Sequence, residues 1–204
     1  MNSSTQRLSV AGPAGALECA IDTPAGGNVR GVAVICHPHP QHGGTMDNKV
    51  AATLARALVQ LGYRSVRFNF RGVGASEGAW DEGRGEVDDA LAVVAAQREP
   101  GRPLVLAGFS FGGYVAATAA ARLSGDDRAE RLILVGPSTQ KHHLPPVPDD
   151  TLVVHGEHDD VVPLASTLDW ARPQSLPITV VPGGGHFFHG QINLLKHIVL
   201  RAWH

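Results

Sequence analysis

The chain predicts an α/β protein, a mostly parallel central sheet with helices on both of its faces. Two features carry that prediction. Short aliphatic runs alternate with longer stretches of helical period along nearly all of the 204 residues. The runs are almost continuously apolar, as strands covered on both sides must be. Twenty-four glycines and fourteen prolines cluster between them, where they read as turn punctuation rather than disorder. No repeat or linker interrupts the pattern, which predicts one domain over residues 1–204.

The elements follow in order. Arg7–Val10 and Ala16–Ile21 alternate around Ala11-Gly12-Pro13-Ala14-Gly15 and predict an antiparallel hairpin at a sheet edge, within residues 1–30. The apolar runs Gly31–Cys36, Ser65–Phe70, Pro103–Ala107, Arg131–Val135, Thr151–Val154 and Ile178–Val181 predict the covered strands. Helix faces are predicted by Val50, Leu54, Ala57, Leu58 and Leu61, by Val87, Leu91, Val94 and Ala95, and by Ile192, Leu195 and Val199. The Ala-rich segment Gly112–Leu123 suits a helix packed closely on the sheet. In such a βαβα alternation, ligands bind at the carboxyl ends of the strands.

Composition narrows the function. A net charge of −2 without a Lys/Arg run argues against nucleic acid or an anionic membrane as partner. No apolar stretch approaches the roughly 20 residues that span a bilayer. Met1–Arg7 lacks the apolar stretch of a secretory signal. Cys19 and Cys36 are expected as buried free thiols in a reducing compartment, the cytoplasm. The expected partner is a small molecule, with monomer and homodimer equally compatible.

The strongest chemical signal is Gly108-Phe109-Ser110-Phe111-Gly112-Gly113, between a predicted strand and a predicted helix. A nucleophile on so sharp a turn needs flanking glycines, because side chains there collide with neighbouring backbone. Such a serine needs a base, and the base a carboxylate to orient it. On this kind of sheet the partners follow in the order Ser, acid, His, each after a later strand. His155-Gly156-Glu157-His158-Asp159-Asp160 supplies the acid, Asp159 with Asp160 or Glu157 as alternatives. Gly183-Gly184-Gly185-His186 supplies the base, with His189 as alternative.

Two backbone amides would hold a developing oxyanion. The first is that of Phe111, next to Ser110. The second falls in the loop His37-Pro38-His39-Pro40-Gln41-His42-Gly43-Gly44, where proline has no N–H to give. His39 is the best candidate and Gln41 the second. If the loop is extended, His37 and His39 project to the same side, and with His42 they form the competing arrangement for a metal. No HExxH or Cys pair supports it, and the expectation is no metal and no cofactor. His142-His143 reads as a solvated loop.

At these residues the chain resembles the α/β-hydrolase superfamily, and more narrowly small cap-less bacterial hydrolases grouped with dienelactone-hydrolase-like proteins and esterases. The resemblance runs through His37–Pro40, Gly43–Lys49, Arg67–Gly78, the elbow Gly108–Gly113, Gly156–Pro163 and Gly185–Phe188. It implies the α/β-hydrolase fold, selects Asp159 as the acid preceding x-Val-Val-Pro, and selects His186 as the base. Dienelactone hydrolases proper carry a cysteine nucleophile where this chain has Ser110, so the resemblance implies ester chemistry without that substrate. Only Gly136–Asp150 separates the strands where relatives insert a lid, which predicts an open site. The expected activity is cleavage of carboxylic esters, thioesters or lactones through an acyl-enzyme on Ser110. The alternatives are a small-peptide or amide hydrolase, and a non-catalytic binding protein on a hydrolase scaffold.

Overall fold

The computed structural model describes residues 5–203. Eight strands form one sheet: β1 Gln6–Gly12, β2 Gly15–Asp22, β3 Gly31–Cys36, β4 Tyr63–Phe68, β5 Leu104–Phe109, β6 Arg131–Val135, β7 Leu152–Gly156 and β8 Ile178–Val181. Their order is β1-β2-β4-β3-β5-β6-β7-β8. β1 and β2 pair antiparallel, β2 runs antiparallel to β4, and from β4 to β8 every pairing is parallel. The register lines up the carboxyl ends: Cys36 faces Gly108, Phe109 faces Val135, and Gly156 faces Val181. The loops after these six parallel strands, β3 to β8, therefore open onto one edge of the sheet.

The helices are α1 Lys49–Gln60, α2 Arg84–Gln97, α3 Phe111–Arg122, α4 Leu164–Ala171 and α5 Ile192–Arg201. α1 begins where the Asn48 side chain accepts the Val50 amide at 2.9 Å, satisfying a donor the first turn leaves open. Its buried face includes Val50, Leu54, Ala57 and Leu58, and it packs with Leu195 and Val199 of α5 against one side of the sheet. Burial of each such leucine is worth about 2 kcal/mol. Val87, Val93 and Val94 of α2 and Val115, Ala116 and Ala119 of α3 cover the other side. The connection from β6 to β7 contains no helix, so no cap stands over the carboxyl edge.

Several elements differ from the sequence expectation: β5 and β7 run on to Phe109 and Gly156, and α4 forms where no helix is expected. β4 ends at Phe68 rather than Phe70, because the Phe70 amide donates to the His37 ring instead of a ladder carbonyl. α2 buries Val87 and Val94 as expected, but its inward face is rotated toward Glu86, Asp89 and Val93. Leu91 is half-buried and Ala95 exposed, whereas Glu86 and Asp89 are buried. Both carboxylates are paired, as burial requires. Glu86 accepts the amides of Asp81 and Gly83 at 3.0 and 2.7 Å. Asp89 takes the Arg71 guanidinium at 2.7 Å and the Arg71 amide at 3.0 Å.

Candidate active site

The turn from β5 into α3 holds Ser110 at φ 56, ψ −118, a backbone conformation that non-glycine residues rarely adopt and that marks functional turns. Steric demand builds the turn. A Cβ on Gly108 would lie 2.0 Å from the Gly112 carbonyl oxygen, and one on Gly112 would lie 2.2 Å from the Cys36 oxygen. Ser110 occupies the N-cap of α3, where serine usually accepts an amide of the first turn. Ser110 makes no such bond; its own amide donates to Val135 at 2.9 Å. The hydroxyl is thus left free at the carboxyl edge.

Asp159 lies in the loop after β7 and His186 in the loop after β8. His186 Nδ1 is 2.7 Å from Asp159 Oδ2, and both residues are buried. The other carboxylate oxygen accepts the Val161 and Val162 amides at 3.0 and 2.7 Å. Burial alone would raise the Asp159 carboxyl, but the His186 hydrogen bond, the Val162 amide and the neighbouring imidazoles outweigh it and hold the group below the ordinary carboxylate range. The His186 ring packs on Phe109, the residue before Ser110, at 4.8 Å between centroids. Gly136 fills the remaining gap: a Cβ there would meet Asp159 Oδ2 at 3.3 Å and His186 at 3.5 Å. Glu157 is exposed and engaged by the Gly183 amide, and Asp160 and His189 are exposed. None of the three joins this cluster.

The loop after β3 faces the elbow, the His39 and Phe111 rings lying 5.1 Å apart. His39, at φ −53 and ψ 122, precedes a 3₁₀ turn over Pro40–His42, so the extended stretch expected of the loop ends at His39. The amides of His39, Gln41 and Phe111 donate to no backbone or side-chain group among the described residues. His37 has a different part. Its Nε2 accepts the Phe70 amide at 3.1 Å, which requires the proton on Nδ1, and Nδ1 then donates to the Pro38 carbonyl at 2.6 Å. Both nitrogens are taken, so His37 offers no lone pair to a metal. Burial pushes it down to about 4, and the ring stays neutral at working pH.

His42 stacks on His39 at 4.5 Å. Trp80 packs on His39 and on Phe111 at 4.7 and 5.1 Å. His142, expected in a solvated loop, stacks instead on Tyr114 at 4.7 Å and hydrogen-bonds Ser138 at 3.0 Å. These contacts join residues far apart in sequence. Trp80 and Tyr114 carried no signal of their own in the sequence, because only the fold brings them beside the elbow. Both cysteines are buried and free. No helix among the described residues is long and apolar enough to cross a membrane.

Comparison with known proteins gives the same architecture. A serine hydrolase of Xanthomonas campestris described as lacking a lid is 38% identical, with a TM-score of 0.87 over 99% of this chain and 94% of that one. An α/β serine hydrolase homologue of Coxiella burnetii is also 38% identical, with a TM-score of 0.85 over 100% of this chain and 99% of the other. An uncharacterized protein of Rickettsia prowazekii is 31% identical over 173 residues, 77% of this chain and 71% of its own length. Residues 27–150, from the turn before β3 to the approach of β7, match the family described as serine aminopeptidase, S33. That match takes in the elbow and more than half of the sequence, and the chain therefore belongs to this family of the α/β-hydrolase superfamily of serine hydrolases.

Proposed function

We propose that the protein cleaves carboxylic esters, thioesters or lactones of small acyl groups through an acyl-enzyme on Ser110. His186 takes the hydroxyl proton as Ser110 attacks the carbonyl. Asp159 holds the imidazole by its Nδ1–H and stabilises the imidazolium that forms. The Phe111 and His39 amides receive the oxyanion. Its collapse breaks the bond to the alcohol or thiol, which leaves with the proton held by His186. A water activated by His186 then hydrolyses the acyl-Ser110 ester to free the acid. The observation that carries this reading is the buried 2.7 Å pair of His186 with Asp159, packed against the residue that precedes a free serine hydroxyl. Nucleophile–base hydrogen bonds are often loose without substrate and tighten in the complex, so the missing Ser110–His186 bond is compatible with it. An edge without a cap suits small or extended acyl groups and predicts no interfacial activation.

The test is intact-mass labelling with a fluorophosphonate, peptide mapping, and turnover of p-nitrophenyl acetate, an acyl thioester and an aminoacyl anilide. The expected result is a single adduct on Ser110, ester or thioester turnover well above anilide turnover, and a loss of at least about a thousandfold in Ser110→Ala. Faster anilide turnover would move the reading to amide bonds. A folded protein that takes no adduct would point to a binding protein.

A further inference from the structure

A second imidazole lies against the carboxylate of Asp159 and has no part in the reading above. His155, near the end of β7, is completely buried. Its Nε2 is 2.9 Å from the Val162 carbonyl oxygen. A carbonyl only accepts, so Nε2 carries the proton and Nδ1 is a bare lone pair. That lone pair is buried and has no partner among the described residues. The protonated Nε2 also lies 3.4 Å from Asp159 Oδ2, the oxygen that takes His186. Val162 in turn donates its amide to Asp159 Oδ1 at 2.7 Å. Hydrogen bonds thus run from the carboxylate through the Val162 amide and carbonyl to His155 Nε2–H, whose nitrogen comes to rest 3.4 Å from that same carboxylate.

Packing alone gives no reason for an imidazole here. A leucine would fill a comparable volume without burying an unpaired acceptor, which is unfavourable in a core. The polar edge that does have partners is the one turned to the acid.

We propose that His155 is a positioning residue for the hydrolysis, its Nε2–H clasping the Asp159–Val162 turn and fixing the carboxylate opposite His186. The proposal rests on the triad reading. The titratable groups that bear on His155 are Asp159 from its own loop and His186 from the loop after β8; Glu157, His158 and Asp160 are exposed. Burial holds His155 below the ordinary histidine range, against the pull of Val162 and Asp159, so the neutral clasp persists where the enzyme works. Its N–H shares the charge on Oδ2 with His186. Without it, Oδ2 interacts with His186 alone, the imidazolium is favoured, and the acid limb of kcat/KM moves to higher pH.

The experiment compares wild type, His155→Leu and His155→Gln, each titrated with a fluorophosphonate and assayed on p-nitrophenyl acetate across pH. In His155→Leu, kcat per labelled site is expected to fall about ten- to a hundredfold with KM within about twofold, as for a slightly misplaced catalytic group. Its acid limb is expected to rise by about half a pH unit or more. His155→Gln, whose amide N–H can reach Val162, recovers most of both. If His155→Leu does not fold, His155→Met takes its place. Unchanged kcat per site and an unchanged limb in the apolar variant overturn the proposal. So does a glutamine variant that behaves like the apolar one while both lose only thermal stability. Wild type that takes no adduct on Ser110 overturns the triad reading itself, an outcome distinct from a labelled wild type with an indifferent His155.

Discussion

The turn that carries Ser110 and the loop that carries His39 meet across Gly112, and they are held by different means. The elbow is a steric construction. Ser110 sits at φ 56, and the glycines on either side leave room for backbone atoms that a Cβ would strike at 2.0 to 2.2 Å. The loop after β3 depends largely on side chains. The His37 ring bridges the Phe70 amide and the Pro38 carbonyl, and Asn69 accepts the Met46 amide at 2.8 Å. One region fails by collision and the other by leaving a buried polar group without a partner. Those failures differ in size, in pH dependence and in how visibly the sequence announces them.

The largest effect is expected where the two regions touch. Gly112→Ala places a Cβ 2.2 Å from the Cys36 oxygen and 2.5 Å from the His37 oxygen, with backbone on both sides and no flexible side chain to yield. The expected loss is about 3 kcal/mol or more in urea unfolding, with fluorophosphonate labelling lost as the elbow shifts. Gly183→Ala is the matched control. Its φ is +65, but a Cβ there meets nothing within 4 Å, so only the backbone penalty of about 1–2 kcal/mol remains. Equal losses in the two variants would show that close approach does not hold the elbow.

Next in size is the oxyanion contact, where a backbone amide can be removed almost without changing the backbone. His39 already has φ −53, a value proline adopts. His39→Pro is expected to lower kcat about a hundred- to a thousandfold, with the urea midpoint preserved. His39→Ala keeps the amide and loses the ring stacked on His42; its kcat should stay within about tenfold, the scale of a lost non-catalytic contact. If the two variants are equally active, the Gln41 amide becomes the donor.

The same contrast explains what the sequence discloses. The bounds of β3, β6 and β8 are legible from their apolar runs. The elbow is legible because its glycine demand is local. The face of α2 is half legible: Val87 and Val94 are buried as expected, while Asp89 turns in because Arg71, its partner, comes from a different loop. The loop after β3 holds three histidines that look alike in sequence. His37 becomes the buried one through the amide of Phe70, 33 residues away, and no periodicity encodes that distance. His155 is equally silent, since its meaning depends on the Asp159–Val162 turn closing back on it. Steric requirements are written in neighbouring residues, whereas long-range hydrogen bonds are written only in the fold.

The smallest expected effect belongs to His37, and its sign separates a hydrogen-bonded loop from a steric one. His37→Leu leaves the Phe70 amide unpaired and should cost about 1–3 kcal/mol near neutral pH. Burial lowers the imidazole from its ordinary 6.5 to about 4, more than the Pro38 hydrogen bond raises it. The unfolded chain therefore binds a proton near 6.5 that the native protein refuses until about 4. Its contribution is complete above 6.5 and is lost progressively as pH falls toward 4, a total of roughly 3 kcal/mol. Urea unfolding at a series of pH values should show wild type losing stability through this window and His37→Leu losing less, by that share. The buried His155 and the half-buried His39 slope the same way in both proteins, so the difference between the curves isolates His37. Parallel curves would mean that His37 is protonated or solvated in the native state, and the loop would then need another clamp.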